Sequence, residues 1–132
     1  MKIPREKQIS FLEKVISDTA SGHLPWNRQM AGCFAASDAF PGIPLDAEGV
    51  FSCDFTSKLN GELWIAMGQD GRVRGAIGSE TRNMEHFSYK DTEISVLLTR
   101  LFYLLFDARP SANKLIDAFL SHEPSQAPDT PE

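Results

Sequence analysis

Apolar residues recur at helical spacing over residues 5–20. Ile9, Leu12 and Ile16 stand at i, i+3 and i+7, so one face of a helix would carry all three. Ser21-Gly22 then gives a stop signal, because glycine readily adopts the backbone conformation that ends a helix. The pattern predicts an amphipathic helix in the N-terminal part of the chain.

From residue 49 the apolar positions alternate with a period of two, which is typical of strands with one buried face. Leu63, Ile65 and Met67 fall on one face of such a strand, and Trp64 falls on the other. Asn60-Gly61 is a strong hairpin signal. Strands are predicted over residues 49–56, 62–68 and 72–78, with 83–89 as an optional fourth. We therefore predict an antiparallel meander of three to four strands.

Residues 94–106, ISVLLTRLFYLLF, place two apolar seams on one predicted helix. At 100° per residue, the first seam is a broad arc that belongs against the sheet: Ile94, Leu97, Leu98, Leu101, Leu104 and Leu105. The second seam consists of Val96, Thr99, Tyr103 and Phe106. Burial of one large apolar side chain contributes about 1.5–3 kcal/mol, so we expect another element or another protein to cover the second seam.

A final helix after Arg109-Pro110 is the first candidate to cover that seam. Its apolar residues form a stripe of Ala112, Leu115, Ile116, Phe119 and Leu120. Because sequential helices joined by short turns usually pack together, we predict that this helix docks antiparallel beside the second seam. A second copy of the chain, or the groove of a partner protein, is the alternative cover.

Residues 27–48 break both periodicities, since Ala, Gly and Pro dominate there. We predict a long ordered loop or flap, anchored by Phe34, Phe40, Ile43 and Leu45. Residues 122–132 are polar and proline-rich, so we expect a disordered tail. The predicted architecture is a single α+β domain over residues 1–121, with an N-terminal helix, the meander, and two C-terminal helices packed on one face.

Composition and charge narrow the class of partner. The 132 residues are 42% hydrophobic and 23% charged, as in an ordinary folded protein, with a net charge of −5. Residues 31–70 hold one basic residue against six acidic ones. Nucleic-acid binding needs a clustered basic surface, so we expect none; this acidic region is interpreted as a surface for a protein partner or, alternatively, as a solvated face. We expect no membrane span and no secretory signal, and hence a cytoplasmic protein.

No motif indicates catalysis, a cofactor or a metal site. The three histidines lack the spacing of zinc ligands. The glycines of GQDGRVRGAIG lack the Gly-Lys-Ser/Thr ending of a phosphate-binding loop and are better explained by hairpins. Cys33 and Cys53 are expected as free thiols, with a bridge between them as the alternative.

The candidate binding residues form two sets. The acidic region and the second seam supply the set that would bind a protein partner: Asp38, Phe40, Asp46, Glu48, Val96, Tyr103 and Phe106. The alternative is a small-ligand-binding or enzymatic domain with a site beneath the 27–48 flap. Its lining would come from Trp64, Arg72, Arg74 and Arg82, because guanidinium groups grip anions. A third hypothesis is a dimeric chaperone-like protein that offers its second seam to clients.

The order of the elements also carries a resemblance. The stretch 11–26, FLEKVISDTASGHLPW, joins a helix pattern, a small-residue-plus-glycine stop and a tryptophan, and GELWIAMGQDGRV and LLTRLFYLLF follow it. This order resembles that of small uncharacterised bacterial and phage proteins. The resemblance implies an accessory protein of a mobile element. The acidic surface character and the missing catalytic chemistry favour a non-enzymatic protein-binding factor of the immunity, inhibitor or anti-defence type.

Overall fold

A five-stranded antiparallel sheet with helices on both faces organises the chain. The computed structural model describes residues 3–56, 58–108 and 112–121, so the predicted tail at 122–132 lies outside the described residues. The helices are α1 (Arg5–Ala20), α2 (Phe34–Ala39), α3 (Thr92–Asp107) and α4 (Ala112–Leu120). The strands are β1 (Trp26–Arg28), β2 (Leu45–Thr56), β3 (Gly61–Gly68), β4 (Val73–Gly78) and β5 (Glu85–His86), paired in that order. The predicted α+β class is confirmed.

The central hairpins form where the turn signals predicted them. Asn60 adopts a positive φ of 54° immediately before β3, and Gly71 adopts a φ of 83° between β3 and β4. Both are residue types that tolerate the left-handed region, so tight reversals are possible there. The alternation also holds, because Leu63 and Ile65 belong to one core cluster while Trp64 belongs to the cluster on the opposite face.

The larger core lies between one face of the sheet and the helices α1 and α3, which pack against each other. Five residues of the first seam are buried there as predicted, namely Ile94, Leu97, Leu98, Leu101 and Leu105. The sixth, Leu104, is half-buried. Asp91 caps α3, since its Oδ1 accepts a hydrogen bond of 3.2 Å from the backbone N–H of Ile94. Gly75 of β4 lets α3 approach closely, because a Cβ there would stand 2.9 Å from Leu98 Cδ2.

The 27–48 segment differs from the prediction. It contains the end of β1, the helix α2 and the start of β2, so it is only in part a loop. β1 is a fifth strand that the periodicity did not predict, because three residues are too few to show an alternation; its backbone pairs Trp26 with Cys53. Phe40, predicted as an anchor, is 1% exposed, whereas Phe34, also predicted as an anchor, is 90% exposed.

The predicted docking of the final helix is wrong. Every described side chain of α4 is exposed, with exposed fractions of 57% for Leu115 and 78% for Phe119. The second seam of α3 is also open, since Val96 is 51% exposed and Tyr103 is 45% exposed. Helical periodicity showed that both surfaces need a cover, but it carries no information on which surfaces meet. The helix that packs beside α3 is α1.

Candidate protein-binding surfaces

An open groove runs along α3 on its second seam. It has a volume of about 370 Å³. Its lining comes from three elements: Asp46 and Glu48 of β2, Met67 of β3, and Phe102, Tyr103 and Phe106 of α3. We call this set the α3 groove. It brings together Asp46, Glu48, Tyr103 and Phe106, which the sequence assigned to partner binding from two distant segments.

Phe102, Tyr103 and Phe106 form the aromatic floor of the α3 groove, and their rings pack against one another. The ring centroid of Phe102 lies 5.8 Å from that of Phe51, 5.2 Å from that of Tyr103 and 5.6 Å from that of Phe106. Edge-to-face and offset contacts at these separations stabilise a ring cluster beyond its burial. Gly49 permits the arrangement, since a Cβ at that position would lie 3.1 Å from Phe102 Cε1. The ring cluster is therefore formed by contacts within the chain itself.

The rim of the α3 groove is acidic. Asp46 and Glu48 are exposed at the start of β2, where the pairing with β3 is irregular between Leu45 and Val50. Asp46 Oδ1 accepts a hydrogen bond of 2.9 Å from the backbone N–H of Glu48 within this irregular start of β2. A segment bound in the groove would thus meet apolar side chains below and carboxylates at one edge.

A second apolar surface lies on α4. Its members are spaced to share one helix face: Leu115, Ile116, Phe119 and Leu120, each between 55% and 78% exposed. We call this set the α4 stripe. Asp117 is the acidic residue of α4 and falls on the side of the helix away from the stripe, by 100° per residue. Contiguous exposed apolar residues of this kind mark interaction surfaces in folded proteins.

A third surface lies on the opposite face of the molecule, at α2. Phe34 is 90% exposed and Met30 is 77% exposed, and Asp38 follows Phe34 by one helical turn. We call these three residues the α2 tip. Cys33 Sγ caps α2 by accepting a hydrogen bond from the backbone N–H of Ala36 at 3.4 Å. Phe40 was predicted to contact a partner, but its ring is buried in the core, so that assignment is corrected.

Beneath α2 the side chains form a packed apolar cluster. Its buried members are Ala36, Ala39, Phe40, Val50, Trp64, Ala66 and Ala76. Trp64 is 3% exposed, and its Nε1–H donates a hydrogen bond of 2.9 Å to Glu62 Oε1. The prediction that Trp64 lines a ligand site is therefore replaced by a core role, because the indole is enclosed by α2 and the sheet.

The predicted ligand-binding arginines are spread over the β4–β5 side of the molecule. Arg74 Nη2 lies 3.0 Å from Asp70 Oδ2, and its guanidinium lies 4.7 Å from the centre of the Tyr89 ring. Arg72 lies 5.8 Å from the same ring, and Arg82 is exposed. The pKa of Asp70 is lowered mainly by its hydrogen bond from Arg74. Arg74 is thus already engaged by a carboxylate and a ring of its own chain.

The remaining chemistry is sparse within the described residues. No group of three or more His, Cys, Asp or Glu side chains there is placed to hold a metal ion. Both cysteines are free thiols, as expected. None of the helices described combines the length and the apolar character that crossing a bilayer requires. Comparisons with protein-family models, with curated proteins and with solved structures find no match to this chain.

Proposed function

We propose that the chain is a non-enzymatic protein-binding accessory factor and that the α3 groove holds an apolar helical segment of a protein. The groove itself carries this proposal: it is open, and aromatic side chains of α3 line it, among them the exposed Tyr103. Tyr103, which lines the groove, is 45% exposed. Covering such side chains is favourable at about 1.5–3 kcal/mol for each large residue that becomes fully buried.

The shape of the groove favours a helix as the bound segment, and its charge disfavours acidic residues in that segment. One wall is α3, and an amphipathic helix laid beside another places its side chains every third or fourth residue into the floor. The carboxylates of Asp46 and Glu48 disfavour a segment that turns an acidic residue toward this rim. An immunity, inhibitor or anti-defence factor would bind its target through a surface of this kind.

The small-ligand hypothesis receives less support. It required polar groups around a pocket beneath the 27–48 segment, whereas the side chains between α2 and the sheet form an apolar cluster. Of the predicted lining residues, Trp64 is enclosed in that cluster and Arg74 is paired with Asp70.

A second candidate function is that of a dimeric chaperone-like protein, and the α2 tip favours it. Phe34 and Met30 are exposed on the face opposite the α3 groove, so a dimer formed at one face would leave them accessible to a client. Sedimentation of the purified chain tests this candidate directly, because a monomer at all accessible concentrations contradicts it.

A photo-crosslinking amino acid placed at position 103 tests the proposed function of the groove. The same amino acid at position 100 is the matched control, because Arg100 is exposed on the same helix and does not line the groove. We expect adducts from position 103 that mass spectrometry maps to one apolar helical segment, and few from position 100. Equal labelling from both positions, or no adduct at position 103 in the native cell, contradicts the proposal.

A further inference from the structure

The chain carries both an open groove beside α3 and an uncovered apolar helix, α4. α4 has nine residues, which corresponds to a length of about 13 Å. Val96 and Tyr103, the exposed residues of the second seam, stand about 10 Å apart along the α3 axis. A helix with the length and the apolar stripe of α4 can therefore lie along the seam. This inference rests on the proposed function of the α3 groove.

The α4 stripe does not fill the groove of its own chain. Residues 109–111 separate Ala108 from Ala112 in the sequence. A groove well placed for its own α4 would be filled by it, yet Phe119 remains 78% exposed and Tyr103 45% exposed. The occupant is thus to be sought in another molecule.

The surface area that the α4 stripe could bury indicates which molecule occupies the groove. Burial of one large apolar side chain removes on the order of 100 Å² of surface. The four residues of the α4 stripe and the surface that covers them would bury roughly 800 Å² in one helix–groove contact, which is the size of a weak contact. Two reciprocal contacts would bury roughly 1,600 Å², which is the standard size of a stable interface. A two-fold dimer supplies the second contact automatically.

We propose that two copies of this chain exchange their C-terminal helices, so that the α4 stripe of each copy lies in the α3 groove of the other. Such an exchange is isologous, since each copy contributes the same helix and the same groove. Asp117 lies away from the stripe and so turns from the acidic rim formed by Asp46 and Glu48. The α2 tips remain free on the outer faces of the dimer.

Sedimentation of the full chain at micromolar concentration gives the first measurement. The wild type is expected to be a dimer, and Phe119→Asp a monomer, because a carboxylate would enter the aromatic floor. Ala118→Asp is the matched control: it adds the same charge to an exposed position of α4 outside the stripe and is expected to remain dimeric. A monomeric wild type overturns the proposal, and so does equal dissociation by both variants.

Disulfide trapping identifies the surfaces that meet and does not depend on a destabilising variant. A Tyr103→Cys chain is mixed with a Phe119→Cys chain of different mass, both with Cys33→Ser, under mild oxidation. We expect a mixed disulfide dimer in large excess over either self-linked dimer. Linkage of Phe119→Cys chains only to each other would indicate a helix–helix pair and overturn the exchange. So would an intrachain disulfide formed by the double variant as a monomer.

The two proposals fail differently. If the chain is monomeric and positions 103 and 119 do not pair, while a crosslinker at position 103 still captures a foreign protein segment, the exchange is wrong and the groove function stands. If position 103 also captures no protein, both proposals fall.

Discussion

The side chain of Gln8 in α1 is hydrogen-bonded twice to Ser88, eighty residues later and just before α3. Gln8 Oε1 accepts a bond of 2.8 Å from the backbone N–H of Ser88, and Gln8 Nε2 donates one of 3.2 Å to Ser88 Oγ. Nε2 also donates to the backbone carbonyl of Ile3 at 2.8 Å. Gln8 is 1% exposed, so this buried amide joins α1 to the segment that precedes α3, with its polar atoms paired.

Replacing Gln8 by Leu should lower the free energy of unfolding by about 1–3 kcal/mol, because the backbone N–H of Ser88 loses its acceptor in the core. Urea denaturation followed by circular dichroism measures the change. Glu6→Gln is the control, since Glu6 is exposed in the same helix turn and its replacement should change stability by less than about 0.5 kcal/mol. Equal stability of Gln8→Leu and wild type would show that the amide is not needed.

Gly75→Ala should destabilise the chain by about 1–3 kcal/mol through overpacking. The added Cβ would stand 2.9 Å from Leu98 Cδ2 and 3.0 Å from Phe87 Cδ2, so these buried side chains must shift to make room for it. Gly32→Ala is the matched control, because a Cβ at Gly32 meets nothing within 4 Å. In a Leu98→Ala background the cost of Gly75→Ala should fall, and additive effects of the two substitutions would refute the contact.

The free energy of unfolding should fall at low pH as Asp91 becomes protonated. The hydrogen bond from Arg5, at 2.6 Å, and the one from the backbone N–H of Ile94 lower the pKa of Asp91 below 3.8. The folded chain therefore binds this proton less tightly than the unfolded chain, so the contribution is fully present above pH 3.8 and is lost as the pH falls through the folded value.

Asp91→Asn keeps a capping side chain but removes the charge, so its unfolding free energy should fall less steeply than that of the wild type below pH 3.8. Arg5→Gln should flatten the same part of the profile, and the double variant should add little to either single variant. Denaturant titrations across this acidic range measure the slopes. Parallel profiles for wild type and Asp91→Asn would contradict the pairing.

Cys53 should react slowly with thiol reagents in the folded chain. Burial raises its pKa to about 11, with a further contribution from the nearby carboxylate of Asp54, and the reactive species is the thiolate. In a Cys33→Ser background, labelling at about pH 8 should be roughly 100-fold slower in the native state than in urea. Serine at position 33 can keep the cap of α2, so this background should fold normally. Fast native labelling would mean that β2 opens readily near Cys53.

Which faces of β3 and α3 are buried could be predicted from the sequence, because the periods of strands and helices are local properties. Ile65 and Trp64 lie on opposite faces of the sheet, and Leu98 and Leu101 are fully buried, as their positions in the pattern required. The candidate groove was predicted only as separate pieces. Met67 was not predicted as a lining residue of the groove. The alternation in β3 could have found it, because Met67 stands near the end of the strand on the face that carries Leu63 and Ile65.

Local patterns in the sequence sufficed to predict α1, α3, α4 and the strands β2, β3 and β4, since hydrophobic period, turn residues and caps act over a few neighbouring positions. The short elements β1 and α2 carried too few residues to show such a pattern. Only the tertiary structure decided which elements meet. Asp46 and Tyr103 line one groove although more than fifty residues separate them, and Phe34 turns to water while Phe40 enters the core. The physical reason is that burial is non-directional: an apolar stripe needs a cover, and only the geometry of the sheet and its helices decides whether α1, α4 or another molecule provides it.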